Sequence, residues 1–598
     1  MEFIPFQNVH QMLKETVERC SDLPAYRWFV SADQKKSITW AEHYEKVKKA
    51  SKSLLALGVQ LDQKVNVLSY SRYEWALADH AIMTVGAVTV GIYQSNLPKD
   101  CQYIIDHCDA VFIFVENELQ LKKVLEVRDQ IPKVKKVITF DETGYSNDDW
   151  VITFDEFLKL GESVTDQELT LRIDEVQPEH LAGIVYTSGT TGVPKGAMLT
   201  HDNFIFTAQS VKISLDIQGA DDTFLFLPLA HVFARITAMG SLLAGVPTTF
   251  TRSMDRIVED MKAASPTWFA SVPRIYEKVY SKVLSGVEAK GGLSLKIFRW
   301  AVKVGEQVSD HLQAKKAIPG LLNLQYKLAT KLVFGKIQAA LGGNIRWCIS
   351  GAAPLNAEIA KFFHAAGILI LEGIGMTENT SFSHLNRVDN FRFGWVGLPG
   401  PGIEAKIAED GEFMTRGRNT MKGYYKMPEE TAETITEDGW LKTGDLGEID
   451  AEGFLRITGR KKDLIITAGG KNIAPSAIEG VLATSKYINQ VCVIGDRRKF
   501  LSALVTLDEE NIKDFSREKG IPFDSLNDLI GNETIKALID QEVQEKNKAF
   551  ARYETIKKVV LVPEFTIENG LLTPTLKIKK NRVLNSFAEK IDQMYPDS

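Results

Sequence analysis

Cysteine is sparse and unpatterned in this sequence. Cys20, Cys101, Cys108, Cys348 and Cys492 are scattered, odd in number, and form neither a CxxC pair nor a histidine-containing zinc spacing. A disulfide framework is therefore excluded, and a reducing, cytoplasmic compartment is expected. An excess of one charge is also missing. The 71 Lys and Arg against 77 Asp and Glu leave a formal net charge of -6, with no long basic run, so nucleic acid is not an expected partner. Residues 1–6 lack the basic region and apolar core of a signal peptide. The longest apolar-leaning run, 81–93, is too short to cross a bilayer and contains Thr84, Gly86, Thr89 and Gly91. Internal repeats and low-complexity tracts are lacking too. What remains is an ordinary globular composition, 44% hydrophobic and 25% charged over 598 residues. That length suffices for several domains, or for one large and one small.

Two common nucleotide signatures are missing as well. The Walker pattern needs Gly, four residues, then Gly-Lys-Ser/Thr, whereas the chain offers Pro194-Lys195-Gly196. Its Gly469-Gly470-Lys471 is followed by Asn472 and preceded by Ile465 where a glycine is needed. Gly373-Ile374-Gly375-Met376-Thr377-Glu378 begins like a dinucleotide fingerprint but ends in glutamate at the third glycine position.

A different phosphate loop is present at Tyr186-Thr187-Ser188-Gly189-Thr190-Thr191-Gly192-Val193-Pro194-Lys195-Gly196. Hydroxyls at Thr187, Ser188, Thr190 and Thr191 can donate to phosphate oxygens, and Gly189 and Gly192 let backbone N–H groups turn into an anion-binding nest. Lys195 adds positive charge. The apolar run 181–185 predicts a buried strand entering the loop, and 196–200 a strand leaving it.

Around this loop the pattern alternates between helix and strand. Thr39-Trp40-Ala41-Glu42 is a capping box opening a helix that stops near Gly58, followed by a strand at 64–68. Such alternation predicts an α/β multidomain protein. After Gly459 the pattern restarts as a compact α+β unit, with a helix near 474–484, strands at 489–495 and 501–507, and a strand around 558–562. Segment 286–340 stands apart, with nine Lys or Arg against three acids and Ile297, Trp300, Ala301 and Val304 at helical spacing. Packing on the main domain and peripheral contact with a membrane surface are both compatible with that stripe.

The phosphate loop is similar, nearly residue for residue, to the signature of the adenylate-forming superfamily of acyl- and aryl-CoA synthetases, peptide-synthetase adenylation domains and luciferases. Further motifs follow in that superfamily's order: Ser350-Gly351-Ala352-Ala353-Pro354, Gly373 to Glu378, Leu441-Lys442-Thr443-Gly444-Asp445, Gly459-Arg460-Lys461-Lys462-Asp463, and Lys577 in Pro574-Thr575-Leu576-Lys577. The resemblance covers about residues 10–590. It implies a large N-terminal adenylate-forming domain of layered α/β subdomains, 1–459, a hinge at 460–463, and a small mobile α+β C-terminal lid, 464–598.

The resemblance also assigns residues. ATP would be held by Thr187, Ser188, Gly189, Thr190, Thr191, Gly192 and Lys195, with Gly351, Ala352, Ala353 and Thr377 around the nucleotide. Asp445 and Arg460 would contact ribose and phosphate, and Lys462 would be the pivot of the lid. Glu378 would take Mg²⁺, since a cation on phosphates usually keeps one or two protein carboxylates. Lys577 would neutralise the transferring phosphate and leave when the lid turns; together with Glu378, Thr190 and His231 it completes the expected catalytic set. The segment Leu227-Pro228-Leu229-Ala230-His231-Val232-Phe233-Ala234-Arg235 looks like the long-chain acyl-CoA synthetase form of a substrate-pocket motif. By themselves His231 also reads as a buried structural histidine and Lys577 as part of a solvated basic edge. Ile374 stands where many relatives carry an adenine-stacking tyrosine. The expected activity is a long-chain fatty acid CoA ligase using fatty acid, ATP, Mg²⁺ and CoA. The alternatives are a medium-chain or aryl acid, a carrier-protein acceptor, or a non-catalytic nucleotide-binding protein; oligomeric state is not specified by the sequence.

Overall fold

The computed structural model describes residues 3–596 except 33, 146–147, 188–192, 469–470 and 574–576. Local rules act where the sequence announces them. Thr39 caps the helix Trp40–Ala56: the Glu42 N–H donates to its hydroxyl at 3.2 Å, and its own N–H donates to the Glu42 carboxylate at 2.9 Å. Gly58, at φ 78°, closes that helix in the left-handed region. The strand Lys64–Leu68 follows as expected.

Two large sheets dominate the N-terminal part. Among the described residues one has eight strands in the order Gly423–Tyr424, Lys195–Thr200, Leu181–Thr187, Val88–Ile92, Lys64–Leu68, Ala110–Val115, Lys136–Thr139 and Val151–Thr153. The inner strands are parallel and read as continuous Val/Ile runs because helices cover both faces. The strands Leu181–Thr187 and Lys195–Thr200, which flank the phosphate-loop sequence, pair antiparallel inside this sheet. The second sheet has nine strands among the described residues and includes Thr223–Leu225, Trp268–Ser271, Trp347–Ser350 and Leu369–Ile374. A four-stranded antiparallel sheet carries Leu441–Ile449 beside Leu455–Arg460.

The C-terminal unit is α+β. Its strands Ile488–Ile494, Leu501–Leu507 and Ile556–Leu561 form one sheet under the helices Pro475–Leu482 and Glu533–Asn547, with their own core. It touches the N-terminal part through Lys486 and Glu288, 2.5 Å apart, and through the Ser285 hydroxyl, which donates to Asn511 at 2.7 Å.

Segment 286–340 belongs to a larger helical arm that starts earlier, with Pro273–Lys290, and continues through Gly292–Gln313, Gly320–Ala329 and Gly335–Ala340. Its predicted stripe faces inward. Ala301 and Val304 are buried with Phe298 and Val308, and Ile297 and Trp300 are partly covered. A Cβ at Gly305 would lie 2.6 Å from the Ala365 carbonyl, which shows how closely this helix packs on Ala357–Ala365.

Candidate active site

The strands flanking the phosphate-loop sequence place Thr187 and Lys195 opposite each other where they end. The Thr187 hydroxyl donates to the Lys195 carbonyl at 3.4 Å, and the Tyr103 hydroxyl holds the Pro194 carbonyl at 2.9 Å. Ser188, Gly189, Thr190, Thr191 and Gly192 lie outside the described residues. The short strand Gly423–Tyr424 pairs with Lys195–Thr200 and brings Tyr424 beneath Lys195, whose ammonium lies 5.2 Å from the ring centroid. The same Tyr424 donates its hydroxyl to the buried Glu378 carboxylate at 2.5 Å. Burial and the Glu378 charge push the Tyr424 phenol up, so it stays a donor. Tyr424 thus joins the phosphate loop to the Glu378 carboxylate. Sequence reasoning missed it, because nothing local in Gly423-Tyr424-Tyr425 reports a partner 46 positions away.

Glu378 follows Thr377 in a single 3₁₀ turn, Thr377–Asn379, and both residues are buried. The turn is wound tightly. Thr380 and Ser381 take φ 53° and 65°, and a Cβ on Gly375 would fall 2.1 Å from the Ser381 carbonyl carbon, so only glycine fits there. Asn419 clamps it from outside, donating to the carbonyls of Asn379 at 3.1 Å and Phe382 at 2.6 Å. The Met421 N–H donates to the Glu378 carbonyl at 2.8 Å. The adjacent Gly351-Ala352-Ala353 loop is also conformationally special: Ala352 sits at φ 68°, a conformation L-residues rarely hold without a reason. A Cβ on Gly351 would meet the Phe233 ring at 3.1 Å.

Asp445 and Arg460 are register partners across two strands, and the Arg460 Nε donates to the Asp445 carboxylate at 2.9 Å. Burial raises the Asp445 carboxyl while Arg460 opposes the rise. Lys461 is occupied by Asp410 and Glu412, and Lys462 points to solvent in the turn that follows Arg460.

His231 is the N-cap of the helix Val232–Ala244. Its Nδ1 accepts from the Phe233 N–H at 3.1 Å, and burial, followed by the Lys577 charge, lowers it to about 3. It is therefore a neutral imidazole carrying its proton on Nε2. Arg235, one turn on, forms a buried ion pair with Asp79 at 2.6 Å.

Lys577 comes from the other domain and reaches the same cleft. Its backbone N–H donates to the Thr573 hydroxyl at 3.0 Å, and the Thr573 N–H donates back to the Lys577 carbonyl at 2.8 Å, so two hydrogen bonds tie Lys577 to Thr573. Lys577 is exposed to solvent, with the charged groups of Arg460, Asp445 and Glu378 nearby. Desolvation and the nearby Arg460 lower its ammonium to about 8, while Asp445 and Glu378 pull the other way. Residues up to 199 positions apart, Glu378, Asp445, Arg460 and Lys577, thus share one electrostatic neighbourhood, and Lys195 reaches Glu378 through Tyr424. The cluster alternates in sign. Its cations suit a polyphosphate, and its carboxylates suit a cation and a sugar hydroxyl.

Comparisons with known proteins agree with this geometry. Residues 13–425 match the AMP-binding enzyme family, and residues 462–598 match the AMP-binding enzyme C-terminal domain. The chain is 36% identical over 563 residues to the long-chain-fatty-acid–CoA ligase FadD15 of Mycobacterium bovis, covering 93% of this chain and 92% of that protein. It is 32% identical over 624 residues to the long-chain-fatty-acid–CoA ligase ACSBG1 of Homo sapiens, covering 98% of this chain and 85% of the relative. Among solved structures, the anthranilate CoA ligase AuaEII with anthranoyl-AMP aligns with TM-score 0.73 at 21% identity, covering 98% of both chains. The adenylation domain of a carboxylate reductase from Mycobacterium chelonae aligns with TM-score 0.78 at 21% identity, over 99% of this chain and 92% of that one. With both family models matched in order over most of its length, the chain belongs to the AMP-binding enzyme family.

Proposed function

We infer that the protein is a long-chain fatty acid CoA ligase that works in two half-reactions. A fatty acid carboxylate oxygen attacks the α-phosphorus of ATP, the bond to the β-phosphate oxygen breaks, and pyrophosphate leaves. The CoA thiol then attacks the acyl-adenylate carbonyl, giving the thioester and AMP, with the thiol proton passing to solvent or a base. The observation that carries the reading is the meeting of Lys577 with Glu378, Asp445 and Arg460 across the domain boundary. In-line transfer between two anions needs positive charge fixed where charge gathers, and Lys577, Arg460 and Lys195 supply it.

Residues 187–192 with Lys195 are the expected triphosphate grip, and Asp445 the ribose acceptor. Gly351, Ala352, Ala353 and Thr377 would enclose the nucleotide, and Lys462 would be the pivot. Glu378 fits a shared Mg²⁺: Tyr424 holds one of its oxygens, and a hydrated cation needs only one or two carboxylates besides the phosphates. Mg²⁺ when bound there would neutralise phosphate charge. His231, a neutral cap close to Lys577, supports a pocket-wall role better than proton transfer. Long-chain specificity is supported by the relatives' activities, and each buried methylene adds about 0.8 kcal/mol, so chain-length preference should be graded. The five free cysteines support a cytoplasmic setting, and a water-poor substrate supports peripheral contact with the membrane through the arm.

The test is acid-dependent ATP–pyrophosphate exchange across short, medium, long and aryl acids, followed by thioester formation with and without CoA. Exchange and CoA thioester strongest with long chains are expected. Strongest exchange with aryl or short acids overturns the substrate class, exchange without CoA thioester overturns the acceptor, and no exchange with any acid makes the chain a nucleotide-binding protein.

A further inference from the structure

The helical arm has two apolar faces, and only one is covered. In the helix Gly320–Ala329 and the π-helical turn Thr330–Phe334, Leu322, Ala329 and Phe334 are buried and fix the orientation. On the opposite side Leu321, Leu324, Leu328 and Leu332 are 71%, 66%, 49% and 45% exposed. Spacings of three and four place them on one strip of the helix. Exposed leucines scattered singly are ordinary, but a contiguous row marks an interaction surface.

Charge separates on the same element. The protein as a whole is acidic, yet residues 311–357 contain six Lys or Arg and no Asp or Glu. Lys327 and Lys331 flank the leucine row, are exposed, and form no ion pair among the described residues. An apolar row edged by unpaired lysines is the pattern of a helix lying in a bilayer interface. We propose that this ridge docks the enzyme flat on an anionic lipid surface, with the leucines entering the acyl boundary and Lys327 and Lys331 meeting lipid phosphates. A second copy of the chain is a poorer occupant, because a two-fold contact would set lysines against lysines. The proposal extends the fatty acid reading, which supplies the reason for docking, since the acid partitions into bilayers.

The ridge differs from the stripe noted in the sequence. Ile297, Trp300, Ala301 and Val304 line the covered face of the neighbouring helix, whereas the docking face belongs to the leucines that follow residue 320.

The experiment is co-sedimentation of the full-length protein with phosphatidylcholine vesicles, with and without phosphatidylglycerol, at low and high salt. Binding to the mixed vesicles, weakened by salt, is expected. A Leu324→Gln/Leu328→Gln variant should lose about tenfold or more in partitioning. Lys327→Gln/Lys331→Gln should lose about tenfold at low salt and little at high salt. Both variants should keep exchange activity with soluble octanoate, since these side chains lie on the surface. No binding of the unaltered protein to mixed vesicles at low salt, or binding unchanged by the leucine variant, overturns the proposal. So does a dimer that the leucine variant disperses. Loss of the ligase reading would show separately, as absence of acid-dependent exchange while vesicle binding persists.

Discussion

Replacing Tyr424 by Phe removes one oxygen atom and keeps the ring beneath Lys195. The lost interaction is a 2.5 Å hydrogen bond from a phenol to the buried Glu378 carboxylate. Hydrogen bonds to charged groups contribute about 1.5–3 kcal/mol, which converts to roughly ten- to a hundredfold in an equilibrium or rate. With that donor gone, the carboxylate rotates or takes water, and its geometry toward a phosphate-bound cation loosens. ATP–pyrophosphate exchange measured against Mg²⁺ concentration should therefore require more Mg²⁺ and run about tenfold slower or worse. Thioester formation from supplied acyl-adenylate handles no triphosphate and should stay within about twofold. Two outcomes refute the reasoning: exchange and Mg²⁺ dependence unchanged in Tyr424→Phe, or equal loss in both half-reactions, which would mean the turn Thr377–Asn379 had collapsed.

Lys577 predicts a pH profile. Its ammonium is lowered to about 8, so kcat/KM for ATP in exchange should fall about tenfold per pH unit above that value as the charge is lost. Lys577→Arg should keep some activity and erase this limb, because a guanidinium does not deprotonate in that range; a limb that persists in the variant assigns it to another group. The buried histidines predict acid sensitivity. Burial, ahead of nearby Lys14 and Lys48, lowers His10 to about 4, and burial and Arg235 lower His80 to about 3, from 6.5. A depressed folded value means that stability is complete above 6.5 and falls as pH drops, because only the unfolded chain takes up the proton. At about pH 5 each residue should cost about 2 kcal/mol. Urea unfolding of the N-terminal domain should show this loss between neutral pH and about pH 5, reduced in His10→Gln; a midpoint independent of pH would contradict it.

Much of the fold was legible because its signals are local. The capping box Thr39–Glu42, the stop at Gly58, the strands Lys64–Leu68 and Leu501–Leu507, and the paired strands around the phosphate loop all rest on neighbours within a few residues. The order of motifs carried the family and therefore the fold. The sequence also placed Thr377 and Glu378 together, since one turn contains them, and Asp445 and Arg460 in adjacent motifs.

Tertiary structure decided the rest. The Tyr424–Glu378 hydrogen bond, the buried Asp79–Arg235 pair and the approach of Lys577 to the cleft join residues far apart in the chain. No periodicity encodes such distances. The helical arm makes the same point about surfaces. Composition revealed apolar residues at helical spacing and an excess of lysine, but a helix with apolar residues on two faces does not say which face the protein covers. Packing of Gly320–Ala329 on the helix Gly292–Gln313 covered one and left Leu321, Leu324, Leu328 and Leu332 in water. Local sequence fixes each element and its chemistry through short-range sterics and hydrogen bonds; burial and electrostatic neighbourhood depend on what the folded chain brings alongside.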